Sequence, residues 1–328
     1  MHPTMDSEKT ELPAKQLPFD NLFLNAGFVH GQNKWFMYLS TLSFTVICYL
    51  LAPSLSSIHL ILAAVRKGLS IEAIKSDPNL LYDYKWMGVD RNLILIALLG
   101  IFVVAFFGFR FALRKFHQKP LLSVLTAYEQ YRYKRFFFAF VVWSLVVVLS
   151  TVVEYLVYPD LFRLNVEWRG LFLSVVLMLI FMPIQSGFEE ALFRGYLLQG
   201  FAIWFKNGWG ALVLTSLLFG LAHMSNPEVE EYGWPMMLMY YVLFALFMGI
   251  VTLLDEGLEL AMGIHFANNM MASIMVCSDH SVIKTYSIFI ESSGKPGFEM
   301  LLWSVFALLV FWIFKKKYGW KNYSLIYK

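Results

Sequence analysis

The sequence predicts an all-α, polytopic membrane protein of about eight transmembrane helices. Three observations carry this. Of the 328 residues, 59% are hydrophobic and only 15% charged, against roughly 45–50% and about 25% in soluble domains. The mean hydropathy is +0.60. The apolar residues also fall into successive runs close to the roughly 20 residues that a helix needs to cross a hydrocarbon core.

Each element can be justified in order. Residues 1–34 are polar and of mixed charge, and they lack the basic start and short apolar core of a secretory signal. They read as a cytoplasmic tail. Runs at 35–52, 93–111 and 136–157 are the first three candidate spans. Segment 54–66 follows Pro53 and is short, so it reads as interfacial. Segment 120–133 is polar, aromatic and basic, and reads as an interfacial or cytoplasmic helix. Arg110, near the end of the second run, is placed to snorkel to the headgroups. The long apolar region 170–205 contains Pro183, which either kinks one helix or separates two. Runs at 209–222, 235–254, 258–277 and 300–314 complete the set.

Charge orients these runs. The connection after the second run carries Arg114, Lys115, Lys119, Arg132, Lys134 and Arg135 against one acid, Glu129. The C-terminus carries Lys315, Lys316, Lys317, Lys321 and Lys328 and no acid. Both are expected on the cytoplasmic side. That requires eight crossings, with 170–205 as one broken or tilted helix and both termini cytoplasmic. The connection 224–234, with Glu228, Glu230 and Glu231, then falls outside. Asp255, Glu256 and Glu259 read as a solvated turn with an acidic helix start, the alternative being a substrate-gating or cation-binding rim near the cavity mouth. Cys48 and Cys277 lie in apolar runs outside any CxxC and read as small hydrophobes. No basic-aromatic interleaving points to nucleic acid, and no internal repeat points to an inverted-repeat transporter.

Region 170–205 also carries Glu189, Glu190 and Arg194. Ionisable groups at membrane depth are costly unless paired, and they are a functional hypothesis by default. At about 100° per residue, Arg194 lies roughly 40° round the helix from Glu190 and roughly 140° from Glu189. Arg194 is therefore the partner of Glu190, and Glu189 is left without a local counter-charge. Further along, Phe219 and His223 end one run, and His265 and Asn269 share a helix face within another.

A carboxylate, two imidazoles and a carboxamide from three helices form a hydrolytic inventory. The glutamate can take a proton from water, a histidine can share it, and N–H groups can hold an oxyanion. The same Glu189, His223 and His265 are a possible zinc ligand set, although no HExxH occurs. The residues leave glutamate-activated and metal-bound water both open. No GxSxG occurs, and Cys277 has no local histidine base.

EExxxR, FxxxH and HxxxN, in that order on successive apolar helices, resemble the CPBP family. That family groups type II CAAX prenyl endopeptidases with bacterial Abi-type bacteriocin-processing and immunity proteins. The matching residues are Glu189, Glu190 and Arg194, then Phe219 and His223, then His265 and Asn269. The resemblance covers about residues 163–277. It implies an intramembrane endopeptidase in which Glu189 and His223 activate water, His265 and Asn269 bind the oxyanion, and Glu190 and Arg194 hold the site together. It leaves the metal question open. It implies a peptide or membrane-protein substrate, with lipid modification undecided, and a place in the cell membrane, the inner membrane of a bacterium.

The chain then divides into a tail (1–34), N-terminal membrane helices with a basic segment (35–162), a CPBP-like catalytic core (163–277) and a last helix with a basic tail (278–328). The alternative function is a non-catalytic scaffold or bacteriocin-immunity protein on the same fold, and an ion-coupled transporter is a more distant one. One tension is internal to this reading. Straight helices drawn from these edges put His223 near the outer face, and Glu189 and His265 near the inner one.

Overall fold

The computed structural model describes residues 17–326. Residues 1–16 of the expected tail, and Lys328, lie outside the described residues. The chain opens with α1 (Leu22–Val29), α2 (Trp35–Ser56), α3 (Ile58–Arg66), α4 (Ile71–Ser76) and α5 (Tyr84–Met87). The larger bundle follows with α6 (Arg91–Phe116), α7 (Tyr133–Val157), α8 (Trp168–Glu190), α9 (Leu198–Phe205) and α10 (Gly208–Ala222). It closes with α11 (Pro227–Tyr232), α12 (Trp234–Asp255), α13 (Glu259–Met275) and α14 (Pro296–Tyr318).

Local chemistry sets the ends. Asp90 caps α6 by accepting from the Asn92 N–H at 2.8 Å, and Asn207 caps α10 by accepting from the Gly210 N–H at 2.8 Å. Pro235 and Pro296 sit in the first turns of α12 and α14, where a missing N–H costs nothing. Gly319 stops α14 in the left-handed region. Pro183 does not end α8, which runs on through a π-helical turn (Ala191–Leu197) into α9. Region 170–205 is therefore one rod.

Six helical rods among the described residues are long and apolar enough to cross a membrane. They are α2 with α3, α6, α7, α8 with α9, α12 and α14. Two shorter helices, α10 with 15 residues and α13 with 17, follow the same course. Among the described residues the full-length candidates thus number six, against the expected count of about eight. Large apolar side chains such as Leu50, Phe107, Leu145, Phe172 and Leu308 are exposed along the long helices. Apolar surface on this scale marks a lipid-facing exterior, and the chain is a multi-pass, all-α membrane protein.

Contacts define two faces. At the first, Arg132 bonds Asp255 and Glu259, Trp320 donates to Asp255, and Asn21 donates to the Leu253 carbonyl. At the other, Asn92 donates to the Gly170 carbonyl and Arg91 to the Thr285 carbonyl. A small sheet also lies there, with β3 (Phe289–Glu291) between β1 (Phe162–Leu164) and β2 (Val276–Cys277). β1 pairs antiparallel with β3, and β2 pairs parallel with it. The first face carries Arg114, Lys115 and Lys315–Lys317 at helix ends and is called the basic face below.

Several expectations change. Within the N-terminal segment, α1 is packed against the bundle rather than trailing, with Phe23 and Leu24 fully buried. The helix before segment 54–66 continues through Pro53 to Ser56, so this segment is more helical than interfacial punctuation suggests. Segment 120–133 is not a helix. After a short turn at Leu121–Val124 it is extended, and Ala127 N–H donates to the Glu256 carbonyl while Leu258 N–H donates to the Leu125 carbonyl. The turn at Asp255, Glu256 and Glu259 is not solvated. All three are buried, and Arg132 and Arg135 pair with Asp255 while Arg132 also pairs with Glu259.

Candidate active site

The site begins where α8 gives way to the π-helical turn. π-turns are rare and recur at functional sites because the extra residue re-aims the side chains around it. Here it falls directly after Glu189 and Glu190 and contains Arg194. Arg194 donates to Glu190 Oε1 at 2.9 Å, the (i, i+4) pair that helix geometry predicts. Both side chains are buried. The guanidinium also lies 4.0 Å from the ring centre of Phe219 on α10, which adds a cation–π contact in a dry setting.

Glu190 does more than the spacing suggested. Its Oε1 also meets His265 Nδ1 at 2.7 Å, so α8 and α13 are tied together at this one oxygen. The other ring nitrogen of His265, Nε2, faces Glu189 Oε2 at 3.5 Å. Glu189 is buried, and Oε2 has no hydrogen-bond partner among the described residues. Few buried carboxylate oxygens are left in this state, and here Glu190 Oε2 and Arg194 Nη2 share it.

His223 lies in the same neighbourhood. Its ring is 4.4 Å from Phe219 and 4.5 Å from Tyr241 on α12. α10, at about 22 Å, does not cross the full width of the bundle, and it stops beside Tyr241, about 10 Å into α12. His223 stays deeper from the basic face than His265, and Phe219 bridges the two, with its ring centre 4.4 Å from His223 and 6.2 Å from His265. The Phe219 carbonyl lies 2.7 Å from His223 Nδ1. A carbonyl only accepts, so Nδ1 carries the proton and Nε2 is the open lone pair.

Asn269, one turn beyond His265, donates to Gln185 Oε1 at 3.1 Å and accepts from Asn268 at 3.3 Å. Trp143 on α7 fixes Asn268 in turn at 3.1 Å. Gln185, Asn268, Trp143 and Tyr241 were not singled out in the sequence. For Gln185 a signal existed: it is a polar residue one turn before Glu189 on the same apolar helix.

Glu189, His223, His265 and Asn269 all line one cavity of about 820 Å³. Glu190 and Arg194 lie behind its wall. Among the described residues no three His, Cys, Asp or Glu groups are gathered closely enough to hold a metal ion. His265 Nδ1 is engaged by Glu190, and His223 stands apart from the Glu189–His265 pair. As placed, the zinc set Glu189, His223 and His265 does not fit a metal.

Fold and site together define a class: a polytopic helical membrane protein with a buried carboxylate–histidine constellation opening into an internal cavity. Comparison with known proteins points the same way. Residues 168–271 match the family described as type II CAAX prenyl endopeptidase Rce1-like. All three motifs lie within that segment, and the resemblance drawn from them stands. The chain is also similar to the uncharacterized protein YyaK of Bacillus subtilis (strain 168). The two are 27% identical over 247 residues, which is 73% of this chain and 82% of that one. No solved structure matches the chain.

Proposed function

We propose that the chain is an intramembrane endopeptidase that uses Glu189 as general base. The observation that carries this is the buried Glu189 oxygen, without a hydrogen-bond partner and 3.5 Å from His265, in the wall of a peptide-sized cavity. In the cycle, Glu189 takes a proton from water. The hydroxide oxygen bonds to the scissile carbonyl carbon, and the carbonyl becomes an oxyanion. The free N–H of Asn269 donates to that oxyanion. His265, held at Nδ1 by Glu190 at 2.7 Å, presents Nε2 toward the same oxyanion. His223 accepts through Nε2 and orients the water. Glu189 then gives its proton to the departing amine as the C–N bond breaks.

Glu190 and Arg194 act by position, holding His265 and Phe219. The substrate is a peptide or membrane-protein segment in the bilayer. The basic face is cytoplasmic, as the positive-inside rule favours, and both termini lie on that side of the cell membrane.

The test is Glu189→Gln, which keeps the shape and removes the base. Cleavage of a membrane peptide should fall by at least about 10²-fold, the usual scale for a general base, with an unchanged melting profile. Full activity in this variant would remove Glu189 from the mechanism. Metal content of the purified wild type tests the metal-free cycle: about one zinc per chain, lost in the variant, would overturn it.

A further inference from the structure

The cavity that holds Glu189 is unusual in its charge. Five carboxylates line it (Glu154, Glu189, Glu228, Glu291 and Glu299), and not one lysine or arginine does. Four of the five form a rim remote from Glu189. Glu154 ends α7, Glu228 lies on α11, Glu291 on β3 and Glu299 in the first turn of α14. All four belong to the face opposite the basic one, so the cavity opens there. No residue of the Arg132–Asp255–Glu259 cluster takes part in its lining.

The rim carboxylates differ in how they are held. Glu228 is bonded by Tyr241 and Asn226, and Glu299 accepts from the Lys295 backbone N–H at 2.7 Å. Glu154 and Glu291 have neither a hydrogen-bond nor an ion-pair partner among the described residues, and both line the cavity together with Glu299. Burial and Glu299 push the Glu291 carboxyl up to about 7 against the opposing Lys295. Like charges crowded at a half-buried mouth repel one another, and a bound cation relieves that repulsion. Deeper in, the same cavity holds Glu189, 8% exposed, with its unpartnered oxygen. Between α2 and α6 its wall is apolar, with Val46, Leu98, Ile101 and Phe102.

We infer that the segment bound here is apolar around the scissile bond and carries a lysine or arginine seated between Glu154 and Glu291. This rests on the protease reading of the site. The spacing follows from α13: His265 lies eleven residues before Val276, which lines the cavity and pairs with Phe289 of β3, about 16 Å. An extended chain covers that in about four or five residues. The cation therefore sits about four or five residues from the bond that is cut.

The experiment uses the full-length protein in nanodiscs and quenched fluorescent peptides of one apolar sequence. A single lysine, norleucine or glutamate is stepped through three to six residues on either side of the centre. The lysine peptide with the matching spacing should exceed its glutamate counterpart at least about tenfold in kcat/KM. Glu154→Gln should shrink that ratio, and Glu291→Lys should turn it toward the glutamate peptide. Equal kcat/KM for all three peptides at every position, or a lysine preference unchanged in both variants, would overturn the inference. If the wild type cuts no peptide, fluorescence anisotropy of the same peptides separates the two ideas. Tighter binding of lysine than glutamate peptides, lost in Glu154→Gln, would keep the cation seat and remove the protease reading. Equal binding would overturn the cation seat as well.

Discussion

Glu189 and Glu190 are neighbours in the chain and both face His265, but only Glu189 lines the cavity. Glu190 is wholly buried and meets both Arg194 and His265 through one oxygen. Glu189 has a cavity before it. A buried ion pair adds little by itself, but removing one partner leaves an uncompensated charge and costs about 3–5 kcal/mol. Arg194→Met should therefore lower thermal stability in detergent markedly, because it strips Glu190 of its cation and Phe219 of its cation–π partner. Glu189→Gln should not. Equal melting temperatures for Arg194→Met and the wild type would show that the pair is dispensable. The pairing of Glu190 with Arg194 was legible from helix geometry alone. The bond from Glu190 to His265 was not, because it joins residues 75 positions apart and depends on how α8 packs on α13. Nor was the placement of His223 against Tyr241, because it depends on how α10 packs on α12.

At the scale of elements, the position of His265 depends on α13, whose most extensive partner is α7. That contact relies on Gly263. A Cβ at this position would overlap the Phe136 carbonyl and come within 2.9 Å of Ala139 Cβ. Backbone cannot yield as a side-chain tip can, so α13 would have to move outward. Gly263→Val should cost about 1–3 kcal/mol of stability as overpacking and reduce any cleavage by displacing His265 and Asn269 together. An unperturbed melting temperature would mean that the two helices are not held at this distance. The long spans were readable from hydropathy because length and apolarity determine them. The small sheet and the extended course of 120–133 were not, because both are made by pairing with distant backbone: Glu291 opposite Phe162, and Thr126 opposite Gly257. The acidic cluster was misread for a related reason. Its counter-charges, Arg132 and Arg135, come from another helix entrance.

On the scale of the whole molecule, the cavity that holds Glu189 reaches the acidic rim and takes in no residue of the Arg132–Asp255–Glu259 cluster at the basic face. At the basic face Lys119 ties down the N-terminal segment by donating to the Gly27 carbonyl at 2.9 Å and to Asn33 Oδ1 at 2.6 Å. Lys119 is 2% exposed, and burial pushes its ammonium down from 10.5 to about 8. A neutral amine still donates both hydrogen bonds, so the folded state does not need the charge. Below about pH 8 the folded and unfolded chains both hold the proton, and the cost of burying it is present in full. Between about 8 and 10.5 the unfolded chain binds more protons than the folded one, so folding is favoured increasingly as pH rises. The gap amounts to roughly 3 kcal/mol. Lys119→Met removes this titration along with the two bonds. The melting temperature of the wild type relative to Lys119→Met, measured in one detergent, should therefore increase by a few degrees from pH 8 to pH 10. A difference that stays flat across that interval would mean that Lys119 keeps its proton in the folded protein, and that its two carbonyl acceptors bind a cation and not an amine.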